Sequence, residues 1–163
     1  MTFRIDHVSV TTGSLDRSIA FYRDMLGLPF RDRGEASQPE LSTLTGLEDV
    51  RLRWAEFDLG GGQLLELLEY VSPLGDPVEP RPNRPGTTHI GLAVDDLTSI
   101  AARLVDAGVA LSDRPVTLSE DGEWHGVRVL YVRDPDGVSI ELVERDRAAV
   151  RIPELDISNV TTS

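Results

Sequence analysis

The chain has 163 residues, enough for one domain with a substantial core or for two small modules that share one. Its formal net charge of −12 at pH 7 argues against nucleic acid as a partner, because the phosphates would be repelled. The absence of cysteine excludes disulfides, thiolate metal sites and cysteine catalysis, and no apolar run approaches the ~18 residues of a membrane span.

The first part of the chain predicts a strand followed by a helix. Residues 3–10 form the expected strand, and Ser14 is placed to cap the helix. The helix is indicated by apolar residues at helical spacing: Leu15, Ile19, Tyr22 and Leu26. Gly27 predicts its end, and a short strand is expected over residues 28–31.

Residues 32–86 predict a loop, a hairpin and a linker. A polar, irregular stretch over 32–49 is expected to hold only a helical turn near 41–45. Strict alternation over 50–59, a three-glycine turn and the run QLLELLEY predict two antiparallel strands. Residues 71–86 contain five prolines and two glycines, a composition typical of a linker.

The same order of elements then returns. A strand over 88–94 precedes a helix that Asp95 or Asp96 can cap, with Leu97, Ile100 and Leu104 on one face and Gly108 at its end. The expected strands that follow lie at 109–111, 127–133 and 138–144, the last two joined by the tight turn Asp134-Pro135-Asp136-Gly137.

The chain therefore reads as βαβββ twice, which predicts an α+β fold made by internal duplication. We expect one domain over residues 1–145, with a first module at 1–70, the linker at 71–86 and a second module at 87–145. Residues 146–163 form a C-terminal tail with scattered apolar residues.

The duplication places two histidines and two glutamates at matching positions. His7 and His89 begin the first strand of their modules, and Glu66 and Glu141 lie in the runs LLELLE and SIELVE of the last strands. If the modules pair about a pseudo-twofold axis, these four side chains converge. Two imidazoles and two carboxylates suit one divalent ion with water completing its shell, whereas structural zinc sites favour cysteine. By contrast, we expect Glu69 and Glu144, at the strand ends, to be solvated.

Four further residues are candidates for substrate binding. Trp124 and His125 lie in the polar loop LSEDGEWHG, which is placed to cover a pocket, and a histidine there is able to carry protons near neutral pH. Arg53 and Arg128 lie on predicted strands, and each guanidinium is able to hold an anionic group by two hydrogen bonds.

Four segments of the chain resemble the vicinal oxygen chelate superfamily: IDHVSVTTGSLDRSIAFYRDMLGL, QLLELLEY, HIGLAVDDL and YVRDPDGVSIELVE. That superfamily includes glyoxalase I, methylmalonyl-CoA epimerase, extradiol dioxygenases and the fosfomycin and bleomycin resistance proteins. The resemblance implies paired βαβββ modules, and it places metal ligands at His7, Glu66, His89 and Glu141. It also implies a homodimer, since many members are dimers.

Within the superfamily, four ligands favour the glyoxalase and epimerase types, in which a metal polarises a carbonyl and a base moves a proton. Glu141 is the expected base, and resemblance to the epimerases adds Glu48 as a second. The metal is left open among Co, Ni, Mn, Zn, Fe and Mg. The alternatives are an iron-dependent extradiol-type dioxygenase and a small-molecule or antibiotic binding protein without turnover. We expect a cytoplasmic enzyme that acts on a small molecule, since no signal-peptide pattern opens the chain.

Overall fold

The computed structural model describes residues 3–112, 114–119 and 122–145, which form two four-stranded mixed sheets. The first has the order β1-β4-β3-β2, with β1 at His7–Thr11, β2 at Phe30–Ala36, β3 at Arg51–Gly60 and β4 at Gln63–Ser72. The second has the order β5-β8-β7-β6, with β5 at His89–Ala93, β6 at Val116–Thr117, β7 at Arg128–Arg133 and β8 at Ser139–Glu144. The predicted α+β fold of two βαβββ modules is confirmed.

Three helices accompany the sheets: α1 at Leu15–Ile19, continued by a π-helical segment at Ala20–Met25, α2 at Pro39–Thr45 and α3 at Leu97–Asp106. Asp96 caps α3 as predicted, because its carboxylate accepts a hydrogen bond of 2.9 Å from the backbone N–H of Ser99. In the described residues, no helix is long and apolar enough to cross a membrane.

The sequence misplaced several boundaries. β2 extends to Ala36 because it pairs with β3 throughout, although its mostly exposed residues show no apolar alternation. Residues 109–111 do not form a strand, since only Leu111 makes a bridge, to Val132; β6 pairs with β7 instead. The predicted tail, 146–163, lies outside the described residues.

The start of each main helix is held by a glutamate from the end of its own module. Ser14 makes no capping hydrogen bond with its side chain. Instead, Glu69 accepts a hydrogen bond of 3.3 Å from the N–H of Leu15, and Glu144 accepts one of 2.6 Å from the N–H of Leu97. The expectation that both glutamates are solvated is therefore wrong, because they satisfy helix N–H groups that lack a partner within the helix.

The main apolar core lies between the helices and the sheets and contains residues of both modules. Its fully buried members include Leu15, Tyr22, Phe57, Leu65, Leu67, Leu97, Leu104, Ile140 and Leu142. Side chains alternate across a strand, so the residues between these sheet leucines and isoleucines point to the other side. We call that side, opposite the helices, the open face of each sheet; Glu66 and Glu141 lie on it.

A polar contact fixes the two modules against each other. The Tyr22 hydroxyl in the first module donates a hydrogen bond of 3.0 Å to Asp134 in the second. The other oxygen of Asp134 accepts from the backbone N–H groups of Asp136 and Val138, at 3.0 and 2.8 Å. Burial raises the pKa of Asp134 above its usual value, although these hydrogen bonds oppose the shift.

Asp134→Asn should alter how stability depends on pH. Because the pKa of Asp134 is higher in the folded chain, the folded state holds this proton where the unfolded state has lost it. The stability that the group contributes is therefore greatest at low pH and is lost as pH rises through the folded pKa. We expect the melting temperature of wild type minus that of the variant to shrink as pH rises from about 4 to 7. A difference that grew with pH would contradict the raised pKa.

Candidate metal centre

The first half of the candidate site is built by the parallel pair β1 and β4. Ser9 lies opposite Glu66 in this ladder, and His7, two residues before Ser9, shares its face. The imidazole Nε2 of His7 consequently lies 3.9 Å from Oε2 of Glu66. Both side chains are on the open face of the first sheet.

The second half repeats this arrangement in β5 and β8. Gly91 lies opposite Glu141, and His89, two residues earlier, shares their face. Nε2 of His89 lies 3.3 Å from Oε2 of Glu141. Each module thus brings its own histidine and glutamate together, as the repeat predicts.

The two histidines differ in their surroundings. Nδ1 of His7 lies 2.8 Å from Oδ1 of Asp6, and this hydrogen bond is the main cause of a raised pKa for His7, with the charges of Glu66 and Glu56 adding to it. The bond leaves Nε2 of His7 as the nitrogen that faces Glu66. His89 has an aromatic neighbour instead, the ring of Tyr131, at 5.6 Å between centroids.

The donor atoms fit a divalent ion. Two ligands that are each ~2.1 Å from one ion lie ~3.0 Å apart at a right angle and ~4.2 Å apart when opposed. The nitrogen-to-oxygen distances of 3.9 Å at His7 and 3.3 Å at His89 fall between these limits. Imidazole and carboxylate donors also suit ions of intermediate hardness.

The two His–Glu pairs do not form one cluster within a single chain. Across residues 3–112, 114–119 and 122–145, no three side chains of His, Asp or Glu are grouped so that they could hold an ion. The expectation that all four residues converge in one chain is therefore wrong. The modules meet instead through the shared apolar core, the Tyr22–Asp134 contact and a hydrogen bond of 2.9 Å that Arg103 of α3 donates to the backbone carbonyl of Leu26.

Residues 4–142 match the Glyoxalase/Bleomycin resistance protein/Dioxygenase superfamily. The chain belongs to this superfamily. Lactoylglutathione lyase of Haemophilus influenzae is 28% identical over 144 residues, which cover 86% of this chain and 92% of that protein. Uncharacterized protein YwbC of Bacillus subtilis is 27% identical over 146 residues, covering 89% of this chain and 100% of that one. A glyoxalase family protein from Bacillus cereus has a similar crystal structure, with a TM-score of 0.75 and 26% identity over 88% of this chain and 95% of that chain.

Superfamily membership confirms the resemblance inferred from the sequence.

Two of the predicted substrate-binding residues, Arg53 and Arg128, face away from the His–Glu pairs. Arg53 lies opposite Glu69 and Arg128 lies opposite Glu144, on the helix-facing sides of their sheets. The guanidinium groups form ion pairs with these glutamates, at 2.9 and 2.8 Å. The prediction that Arg53 and Arg128 bind substrate is therefore wrong: they hold the glutamates that cap α1 and α3.

Glu48, the second base implied by the epimerases, does not lie beside the first His–Glu pair. It is exposed in the loop between α2 and β3. The residue of β3 that lies opposite Glu66 is Glu56, five positions beyond the first residue of the strand, Arg51. That stretch of strand spans ~17 Å, so in one chain Glu48 is far from Glu66.

Trp124 and His125 lie in the loop between β6 and β7, near the far end of β8. The Arg145 guanidinium stacks on the Trp124 ring at 4.0 Å. Arg145 follows Val143 and Glu141 in the alternation of β8, which places this loop toward the open face of the second sheet. A role for Trp124 and His125 in covering a substrate stays a prediction.

Sequence reasoning overlooked two residues beside the glutamates. Glu56 lies directly opposite Glu66 in the β3–β4 ladder, and Tyr131 lies directly opposite Glu141 in the β7–β8 ladder. Burial raises the pKa of Tyr131, and the neighbouring charge of Glu141 adds to the shift. Glu56 and Tyr131 each precede their glutamate by ten positions, and this equal spacing was the signal available in the sequence.

Proposed function

We propose that this chain is a metal-dependent enzyme that moves a proton next to the carbonyl group of a small thioester or oxo compound, as an isomerase, epimerase or lyase of the glyoxalase type. The observation that carries this proposal is the duplicated His–Glu pair, His7 with Glu66 and His89 with Glu141, on the open faces of the two sheets. Superfamily membership supports it, since the superfamily model matches residues 4–142, which include all four residues.

The four residues would supply two imidazole nitrogens and two carboxylate oxygens to one divalent ion. When bound, such an ion polarises a carbonyl oxygen and makes the neighbouring C–H bond more acidic. With four protein ligands, fewer positions stay open than in the two-His, one-carboxylate sites of iron oxygenases. This donor set therefore favours proton transfer over oxygen chemistry.

We propose that a second copy of the chain completes the site, with the first module of one copy facing the second module of the other. β1 and β5 are edge strands of their sheets, and the apolar side chains of Phe3, Ile5 and Val8 are exposed in or just before β1. An unpaired edge beside exposed apolar groups is typical of a surface that another chain covers. A groove of about 530 Å³ along β5, lined by residues of both modules, offers space there.

One position of the repeat differs in charge between the two open faces. In the first sheet, His7 of β1 lies opposite Leu64 of β4, which in turn lies opposite Asp58 of β3. In the second sheet, His89 of β5 lies opposite Ser139 of β8, which in turn lies opposite Arg133 of β7. The same position of the repeat thus carries opposite charges in the two modules. Pairing unlike modules from two copies brings these charges toward each other twice, as twofold symmetry requires.

Glu141 is the residue that we propose takes the proton. Its carboxylate accepts the proton from the carbon next to the carbonyl, and returns it to the same carbon or to the adjacent one. Return to the adjacent carbon, with the hydroxyl proton of the adduct passing to the former carbonyl oxygen, converts the thiol adduct of a 2-oxoaldehyde into a 2-hydroxyacyl thioester. The name of the Haemophilus influenzae relative, lactoylglutathione lyase, refers to a thioester of this class and supports this choice of substrate. The reaction consumes neither oxygen nor a redox cofactor.

Exchange of hydrogen with solvent tests this function. We expect the cobalt-loaded protein, kept under argon in D2O, to place deuterium next to the carbonyl of the methylglyoxal–glutathione adduct or of 2-methyl-branched acyl thioesters. Mass spectrometry of the recovered compounds measures the uptake, and the metal-free protein is the control. Activity that appears only with oxygen and consumes it stoichiometrically would assign a dioxygenase. Binding without exchange would assign a binding protein.

A further inference from the structure

The two glutamates of the His–Glu pairs have different neighbours on the edge strands of their sheets. In the parallel ladders, Glu66 lies opposite Ser9 of β1, whereas Glu141 lies opposite Gly91 of β5. Opposed residues of neighbouring strands share a face of the sheet, so Ser9 places a hydroxymethyl group beside Glu66 on the open face. At the equivalent position beside Glu141, the second module has no side chain.

The backbone does not require a glycine at position 91. Gly91 lies inside β5, pairs regularly with β8 and is not one of the glycines with a positive φ. Within the described part of the chain, and leaving aside its two chain neighbours, a Cβ atom added to Gly91 would meet one atom within 4 Å, Oε2 of Glu141 at 3.8 Å. A side chain therefore fits sterically, and glycine inside a strand is less stable than alanine. We call the space that the missing side chain leaves the Gly91 gap.

The Gly91 gap opens onto the carboxylate oxygen that also faces His89. Oε2 of Glu141 lies 3.3 Å from Nε2 of His89, and the side chain of Glu141 is 18% exposed. Tyr131 occupies the other flank: it lies opposite Glu141 in β7 and is hydrogen-bonded to it, and its ring centroid is 5.6 Å from that of His89. The gap is therefore the side from which a small carbon group is able to approach Oε2.

We propose that the Gly91 gap seats the carbon that loses its proton to Glu141, and that the lack of a side chain at position 91 allows this approach. This inference rests on the proposed function. A carbon at the place of the missing Cβ is 3.8 Å from Oε2, so a shift of ~0.2 to 0.5 Å brings it to the ~3.3 to 3.6 Å of a C–H group that points at an oxygen. The C–H bond then breaks, the proton passes to Oε2, and the electron pair moves onto the carbonyl oxygen.

The gap also gives a reason why one of two equivalent glutamates takes the proton. Beside Glu66, the side chain of Ser9 fills the place that would hold the carbon. Glu66 then serves only the metal ion, whereas Glu141 serves both the ion and the substrate. The difference between the two modules at this one position thus assigns the two glutamates different roles.

Gly91→Ala and Gly91→Val test the proposal, with Ser9→Ala and Ser9→Gly as matched controls at the equivalent position of the first module. A methyl group at position 91 fills the gap, and misplacing a reacting atom by ~1 Å is able to lower a rate ~10²-fold. On whichever probe the wild-type protein labels, we expect Gly91→Ala to lower the rate of deuterium uptake at least ~10-fold and Gly91→Val at least ~100-fold. Both Ser9 variants should change it less than about twofold.

Two measurements without substrate separate filling of the gap from damage to the protein. Because alanine is more stable than glycine inside a strand, the melting temperature of metal-free Gly91→Ala should equal that of wild type or exceed it by up to about 4 °C. Cobalt affinity, followed by absorbance, should stay within about threefold of wild type, since no ligand is replaced. A melting temperature lowered by more than about 4 °C would mean that the fold requires Gly91, and would overturn the proposal.

The remaining outcomes distinguish the inference from the function on which it rests. Exchange within about threefold of wild type in Gly91→Val, with wild type active, would overturn the role of Gly91 alone. Losses as large in Ser9→Ala as in Gly91→Ala would also overturn it, because the two flanks would then be equivalent. Cobalt affinity weakened more than about tenfold would mean that the added methyl group disturbs the metal centre, with the same consequence. A wild-type protein that labels no probe would remove the proposed function, and the role of Gly91 with it.

Discussion

We expect His7→Ala and His89→Ala each to weaken binding of a divalent ion at least ~100-fold, because every assembled site draws one imidazole from each module. Cobalt titration and elemental analysis after dialysis measure the effect. His125→Ala is the matched control: it removes the third histidine of the chain, which lies outside both His–Glu pairs. Full metal content in either of the first two variants would contradict the ligand assignment.

Mixing these two inactive variants tests whether the site is shared between copies. In a mixed dimer, one site combines both substitutions, while the other combines His7 of one copy with His89 of the other and is intact. Random association makes half of the dimers mixed, so about a quarter of the wild-type metal content and activity should return after co-refolding. If each site lay within one chain, co-refolding would restore none, and the proposed assembly would be wrong.

Glu141→Gln is expected to lower proton exchange by 10²- to 10⁴-fold, since an amide cannot accept the proton. The amide oxygen still coordinates an ion, so metal affinity should fall much less than in the histidine variants. Glu66→Gln, the same change at the equivalent position of the first module, is the control. With metal at saturation it should keep most of the exchange, because Glu141 is still present. Equal losses in the two variants would show that Glu141 has no separate role as a base.

The modules and their His–Glu pairs were readable from the sequence because both depend on periodicity. A histidine and a glutamate on adjacent parallel strands share a face whenever their alternation agrees, and the repeat displays this agreement twice. Alternation also determines the face on which Arg53 lies: it is three residues before Glu56 in β3, so the two side chains point to opposite faces of the sheet. That inference required knowing which face carries the site, which the strand pattern alone does not say.

Pairing across the hairpin was harder to predict. The register of β3 against β4 shifts between Asp58 and Gly60, so the residue opposite Glu66 cannot be counted back from the glycine turn. The helix caps were missed for a related reason. Glu69 and Glu144 bind N–H groups 54 and 47 residues away in sequence, and no local pattern reports such a contact. Convergence of the two pairs depends on how the modules pack, which periodicity does not determine.

Under the proposed assembly, the separation of the two His–Glu pairs within one chain would link binding of the ion to self-association. Each copy alone offers one imidazole and one carboxylate from either open face, so in the proposed assembly the full donor set would exist only in the pair of copies. By thermodynamic reciprocity, whatever factor association adds to affinity for the ion, the ion adds to affinity between the chains. Chain concentration and metal supply would then act as one control on how much active protein a cell contains.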